Sequence, residues 1–403
     1  MKKDWTYKKL GEVCEIYGRI GFRGYTKGDL VNSPDEGAIT LSPSNIVNGE
    51  MDFSKCSYIT WAKYEESPEI MIFPGDILIV KTASVGKTAL VKELPHKATI
   101  NPQFVVLKNI IENNEYLSYF LKSEIAQKYI WSIAKGAAAQ TVSQKNLAEM
   151  NIPFPPLSEQ SRIVSRLDAA FGEIEGLKAK ATRQLIEARY FFIEALAKFM
   201  KPKKEWEEKT LKELTLKIGS GATPRGGKRV YIQHGIALVR SMNVLNNAFK
   251  YDDLAHINNK AAEQLKGVEL QEDDVLFNIT GASIARCCVI PKDVLPARVN
   301  QHVSILRPKK EFVLPAFLCY GMLSAHHLTT LLDIGNAGAT RQAITKADLE
   351  AHVFPIPSLS TQQQIVSRLD ALSKKVRELE EAQKKVIAEC DALKQALLRE
   401  VLE

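Results

Sequence analysis

Two long stretches of this chain carry apolar residues at alternating intervals of three and four. The first sets Ile163, Leu167, Ala170, Ile174, Leu177, Ala181, Leu185 and Ala188 in one stripe; the second sets Ile365, Leu369, Leu372, Val376, Leu379, Val386, Cys390, Leu393 and Leu397. A seam sustained for about five turns is the pattern of helices that pair along their length. About forty helical residues span roughly 60 Å, and one apolar stripe of that length would be wet if the helix stood alone. The spacing therefore predicts an antiparallel pair with Ile163, Leu167, Ile174 and Leu177 on one helix and Ile365, Leu369, Val376 and Leu379 on the other. The alternative is that each helix packs on its own domain. Ser158-Glu-Gln160 and Ser360-Thr-Gln-Gln363 read as N-caps with a glutamine nearby. Lys201-Pro-Lys-Lys204 ends the first helix.

Residues 1–157 and 205–358 have a mixed pattern, so the chain divides into domain (1–157), helix (158–204), domain (205–358) and helix (359–403). Short apolar runs at Asp76-Ile-Leu-Ile-Val80, Phe104-Val-Val-Leu107 and Val303-Ser-Ile-Leu306 predict strands. Helices are expected over Glu115 to Ile133 and Pro315 to Leu332. Pro153-Phe-Pro-Pro156 and Pro355-Ile-Pro357 close the two domains.

The order is written twice. Ile163-Val-Ser-Arg-Leu-Asp168 returns letter for letter as Ile365-Val-Ser-Arg-Leu-Asp370, an offset of 202. Trp5, Lys9-Leu10 and Glu12 return as Trp206, Thr210-Leu211 and Glu213 at 201, and Gly75-Asp-Ile-Leu-Ile79 as Asp273-Asp-Val-Leu-Phe277 at 198. An exact hexapeptide inside drifting offsets implies duplication with small insertions. The fold class expected is α+β: two mixed domains, each followed by a long helix, the helices pairing as an antiparallel coiled coil with an internal pseudo-twofold repeat.

Charge and cysteine content narrow the function. The net charge of +7 permits an anionic partner without demanding one. Ser158 to Lys204 holds ten Lys/Arg against six Asp/Glu, which leaves only +3 over the two large domains, since Ser358 to Glu403 balances. A chain gripping DNA alone through phosphates would be more basic, which points to a partner. Six cysteines without Cys-x-x-Cys spacing and seven scattered histidines predict reduced thiols and no metal site. No run of eighteen apolar residues and no signal peptide appear, so a cytoplasmic protein is expected.

Three fragments imitate enzymes. Gly86-Lys-Thr88 resembles the end of a phosphate loop, but Lys81 stands where its first glycine belongs, and the counterpart Ala285-Arg286-Cys287 loses the motif. Gly219-Ser-Gly-Ala-Thr-Pro-Arg-Gly-Gly227 reads as a flexible loop, since no strong strand feeds it. Asn101-Pro-Gln-Phe104 and Asn151-Ile-Pro-Phe154 resemble the Asn-Pro-Pro-Tyr/Phe loop of amino-methyltransferases, yet no glycine-rich methyl-donor loop accompanies them; both are expected to be turns. No nucleophile elbow or reactive-cysteine signature occurs, so no catalytic residue is assigned.

The domain closings carry a resemblance. Gln140-x-Val-Ser143, Leu147 and Ile152-Pro-Phe-Pro-Pro-Leu-Ser-Glu-Gln160 with Ile163, matched by Gln342-x-Ile-Thr345, Leu349, Phe354-Pro-Ile-Pro357 and Gln362-Gln-Gln-Ile365, resemble the specificity subunits of type I restriction-modification enzymes. Gly219-x-Gly-x-Thr-Pro224 resembles the usual opening of their target-recognition domains; Gly18-Arg-Ile-Gly-Phe-Arg-Gly24 departs from it. The resemblance covers essentially the whole chain. It implies that each domain reads one half of an asymmetric, split site on double-stranded DNA. It also implies that the helices dock two methyltransferase subunits, joined by restriction/translocase subunits. S-adenosylmethionine, ATP and Mg would then belong to those partners, with no cofactor in this chain. Polar loop residues can read base edges in the major groove. The candidates are Arg19, Arg23, Tyr25, Ser42, Ser44, Asn45, Lys81, Ser84 and Lys87 in the first domain. In the second they are Thr223, Arg225, Arg240, Ser241, Asn243, Asn278, Ser283, Arg286 and Arg341. A self-contained DNA adenine methyltransferase and a coiled-coil scaffold that binds no DNA are the competing readings.

Overall fold

The computed structural model describes residues 5–19, 21–136, 139–336 and 343–402. The fold is α+β and forms two units, Met1–Thr182 with Lys384–Glu403 and Arg183–Gln383. Two long helices, Leu157–Phe199 and Leu359–Leu402, each contribute residues to both.

In the first unit an antiparallel four-stranded sheet runs Thr88–Leu90, Ile77–Val80, Phe104–Lys108, Glu15–Tyr17. Its two central strands are buried on both faces. Ile77, Ile79, Val105 and Leu107 point into a core completed by the helices, while Leu78, Val80, Phe104 and Val106 enter a second core beneath a five-stranded sheet. Burial on both faces explains why these strands read as continuous apolar runs rather than alternating ones. The five-stranded sheet contains one parallel pair, Gly37–Leu41 with Ala98–Ile100.

The second unit uses the same logic. Thr215–Ser220, Val303–Pro308, Val275–Asn278 and Cys287–Val289 form its antiparallel sheet. Val275, Phe277 and Leu306 face the helix-side core, and Leu276, Val303 and Ile305 the other. Ile236–Val239 and Ala297–Val299 are the parallel pair of a further four-stranded sheet.

Several expectations need correction. The two shorter helices each break in two, as Asn114–Lys122 with Glu124–Ser132 and Pro315–Leu323 with Ala325–Asn336. Ser123 and Ser324 stand extended at the breaks, and the Ser123 hydroxyl caps the following helix by accepting from the Ala126 N–H. Asn151–Phe154 is a strand paired with Thr6–Lys9, not a turn. The segment opening at Gly219 is fed by the strand Thr215–Ser220, in which Gly219 pairs with Ile305.

Along the long helices most of the expected stripe is buried or half-buried, and Leu177, Leu379 and Leu393 depart from it. In the first unit Ile163, Leu167, Ile174 and Ala181 are buried, as are Cys390, Leu398, Val401 and Leu402. Ion pairs cross between the helices: Arg166–Glu400 at 2.8 Å, Glu175 with Lys394, and Lys178–Asp391 at 2.6 Å. The numbers fall on one helix as they rise on the other, so the neighbours are antiparallel. Leu177, expected in the seam, is 54% exposed, and Leu393 is 49% exposed. Lys178 and Lys394 take the adjacent positions, with side chains only 18% and 19% exposed. Their alkyl stems cover apolar surface while the ammonium groups reach an acid on the opposite helix. Lys394 also lies 5.0 Å over the Phe171 ring.

In the second unit Ala188, Leu196, Ile365 and Leu369 are buried and Val376 half-buried. Leu379 is exposed, and the adjacent Glu380 pairs with Arg189 at 2.6 Å. Among the described residues no helix is long and apolar enough to cross a membrane.

This register is directly testable. Leu167→Ala should lower stability by about 2–5 kcal/mol, while Leu177→Ala should stay within about 0.5 kcal/mol of the parent, both read by urea denaturation. Equal losses would return Leu177 to the buried stripe.

A buried histidine pair in the second unit generates a pH prediction. His327 Nδ1 lies 2.8 Å from His352 Nε2, and the His327 ring stacks on Phe354 with centroids 4.6 Å apart. Burial, reinforced by neighbouring imidazoles, lowers His327 to about 3 and His352 to about 4. An unfolded histidine titrates near 6.5. Below that pH the unfolded chain takes up protons that the folded pair refuses, so stability is full above about 6.5 and falls toward about 4. In urea denaturation between pH 7 and 5, His352→Gln should flatten this slope. An unchanged slope would exclude the pair as its source.

Candidate nucleic-acid interface

Each helix-side sheet ends in the same frame of loops. In the first unit the hairpin from Ile77–Val80 to Thr88–Leu90 carries residues 81–87. Gly86 closes it, donating its N–H to the Val80 carbonyl at 2.9 Å with φ at +89°. A strand follows, so Gly86-Lys-Thr88 is a hairpin bend and not a phosphate loop. Ala285 plays the same part in the second unit, donating to the Asn278 carbonyl at 2.7 Å with φ at +66°.

A second loop is anchored by an asparagine in both units. The Asn101 N–H donates to Leu41 and its side-chain oxygen accepts from the Gln103 N–H; Asn300 does the same with Val239 and His302. The loops are then stitched together. The Lys81 N–H reaches the Gln103 carbonyl at 2.7 Å, and the Val142 N–H reaches the Lys81 carbonyl at 2.9 Å; Ile279–His302 at 3.0 Å and Ile344–Ile279 at 2.9 Å repeat the pattern. The result in each unit is a polar ridge held by backbone hydrogen bonds.

The ridges include residues that sequence reasoning missed. In the first unit the Thr82 and Thr141 hydroxyls lie 2.9 Å apart beside Gln103. In the second, the Thr280 hydroxyl lies 2.7 Å from His302 Nδ1, and Gln301 accepts at 2.7 Å from Thr223, which was among the expected readers. Gln103, Gln301 and His302 follow Asn101 and Asn300 within two residues, a local signal, whereas Thr82, Thr141 and Thr280 are brought beside them by the fold.

Among the residues expected to read DNA, Ser44, Ser84, Lys87, Thr223 and Arg225 are exposed. Arg23, Tyr25, Ser42, Lys81, Arg240, Ser241, Ser283 and Arg286 are half-buried, and burial lowers the Lys81 pKa. Arg23 pairs with Glu69, and Arg240 lies over the Tyr231 ring and donates to the Asp253 carbonyl. Arg341 lies outside the described residues.

Four of the expected readers face inward instead. Arg19 is 5% exposed and donates to the Ile100 carbonyl, the Arg23 carbonyl and the Thr99 hydroxyl, with its guanidinium over Tyr25. Asn45 bonds the carbonyls of Asp52 and Lys55 and accepts from the Ser42 N–H. Asn243 repeats this with Lys250, Asp252 and Arg240. Asn278 is fully buried and donates to the Ser241 carbonyl at 2.9 Å. Polarity alone could not separate these loop-closing side chains from solvent-facing ones. Asn45→Ala and Asn243→Ala should each cost about 1–3 kcal/mol by orphaning backbone groups, against about 0.5 kcal/mol or less for Ser84→Ala. Thermal denaturation of the three variants checks it, and three similar values would contradict the assignment.

Comparison with known proteins gives consistent matches. Residues 2–187 and again 203–389 match the type I restriction modification DNA specificity domain. The chain is 26% identical to a putative type I restriction enzyme specificity subunit, MjaX, of Methanocaldococcus jannaschii, over 96% of this chain and 92% of that one. It is 23% identical to the EcoKI specificity subunit of Escherichia coli over 93% and 84%. Among solved structures, one described as the structural basis of complex assembly and conformational transition of the type I R-M system aligns with a TM-score of 0.75 at 20% identity, covering 100% of this chain and 98% of that one. The HsdS subunit from Thermoanaerobacter tengcongensis aligns at 0.51 and 20%, covering 100% and 97%.

Proposed function

The chain belongs to the type I restriction-modification DNA specificity family, and on that premise we propose that it reads an asymmetric, two-part DNA site without performing chemistry itself. Each recognition domain takes one half-site. The carrying observation is a shared loop frame on which key side chains differ: Lys81 against Ile279, Gln103 against His302 and Lys87 against Arg286, beside the like pairs Thr82/Thr280 and Ser84/Ser283. A common frame sets how a loop meets the groove, and unlike donors and acceptors on it read unlike bases.

In this reading the long helices pair as an antiparallel coiled coil in a chain with an internal pseudo-twofold repeat, and they scaffold two methyltransferase subunits and the restriction subunits. Exposed Ile186, Tyr190, Phe191 and Ile193 on the first helix, with Leu379 on the second, support a docking role. Large aromatic side chains left in water are the residues that anchor interfaces. The methyl donor, ATP and Mg would be held by the partners, which would also supply the positive charge needed to hold DNA.

Exchanging residues 206–358 for another recognition domain should change only one half of the methylated site, read by methylome sequencing; a change in both halves would contradict independent reading. The pure chain given labelled methyl donor and DNA should show no turnover. Turnover would favour the self-contained methyltransferase, and failure of the assembled complex to retain DNA by sequence would favour the bare scaffold.

A further inference from the structure

Each recognition domain is tied to its long helix at two points by the same three side chains. In the first unit Gln160 is fully buried in the first turn of the helix. Its amide donates to the Pro155 carbonyl at 2.9 Å and to Glu112 at 2.8 Å, and its oxygen accepts from the Asn113 N–H at 3.1 Å. Two turns later Asp168 accepts from the Tyr119 hydroxyl on the Asn114–Lys122 helix. In the second unit Gln362 donates to Pro357 at 3.0 Å and Phe312 at 2.8 Å and accepts from Leu314 at 2.9 Å, and Asp370 accepts from Tyr320 at 2.7 Å.

Burying an amide at such a joint carries a desolvation penalty that an apolar side chain avoids. Duplication carried the trio into both joints, and its geometry defines what it does there. One tie leaves a hinge, whereas two ties eight residues apart, about 12 Å along a helix, define an angle. We infer that Gln160, Tyr119 and Asp168, with Gln362, Tyr320 and Asp370, are positioning residues that set the angle of each recognition domain on its helix, and thereby the spacer between the half-sites. The inference rests on the two-part reading above.

The joints are not equally stiff. Asn247 donates to the Tyr320 hydroxyl at 2.9 Å and lies 3.4 Å from the Ser373 hydroxyl, closing the second. The first opens instead on a crevice of about 1020 Å³ lined by Tyr119, Asp168, Phe171, Lys122 and Lys394. Water can compete there for the Tyr119–Asp168 bond, so the first joint is the softer of the two.

The test uses the assembled methyltransferase complex on DNA carrying both half-sites at spacers from two shorter to two longer than its own. Wild type should methylate one spacer. Tyr119→Phe, which removes only a hydroxyl, and the Tyr119→Phe/Asp168→Asn pair should raise methylation at neighbouring spacers about tenfold relative to the cognate one, with half-site letters unchanged. Unchanged spacer preference in variants that assemble and methylate the cognate site would overturn the inference, as would altered half-site letters. If the double variant fails to assemble, Tyr119→Phe decides alone. A wild-type complex that methylates no spaced pair of half-sites sinks the two-part reading itself, an outcome distinct from a fixed spacer.

Discussion

An apolar seam on a helix of more than forty residues cannot be left in water, and the rest of the molecule is arranged around that constraint. The core of the first unit takes Ile163, Val164 and Leu167 from the start of one long helix and Leu398, Val401 and Leu402 from the end of the other. The core of the second takes Leu196 and Met200 from the first helix and Ile365, Val366 and Leu369 from the second. Neither domain is therefore complete without a piece of both helices. Helix pairing and domain folding are one hydrophobic event rather than two, and a domain cut from its helices would expose the side of its sheet that those residues cover.

The polar contacts around that core divide into two kinds. Some hold the scaffold: the buried glutamines at the helix starts, the tyrosine–aspartate bonds, and Asn45 and Asn243 closing equivalent loops. Others lie on the ridges at the sheet ends, where backbone bonds fix the loops and leave side chains to vary. This division lets one scaffold carry different recognition chemistry, because ridge side chains can change without orphaning a buried donor or acceptor. The lysines of the seam belong to the first kind. Lys178 and Lys394 cover apolar surface with their stems and pair across the helices, whereas Leu177, Leu379 and Leu393 point outward.

Strands with both faces buried, the doubled order of elements and the long helices were all legible in the residues, because continuous apolar runs, an exact hexapeptide and a three-four spacing are local signals. The breaks at Ser123 and Ser324 were less visible. A serine interrupts a helix only when its hydroxyl and backbone find better partners, and those partners are set by packing.

The order of residues was enough for the architecture: an α+β domain followed by a long helix, twice over. Tertiary structure alone decided which polar residues face solvent and which seam residues are covered. Arg19, Asn45, Asn243 and Asn278 look like their exposed neighbours when read as letters, yet backbone and side-chain groups consume each of them, within ten residues for Asn45 and Asn243 and across the fold for Arg19 and Asn278. Leu177 and Lys178 are adjacent on a helix, and an interval of three or four admits either. The choice fell to the lysine because Asp391, more than two hundred residues away, supplies its counter-charge, a long-range fact that no local pattern contains.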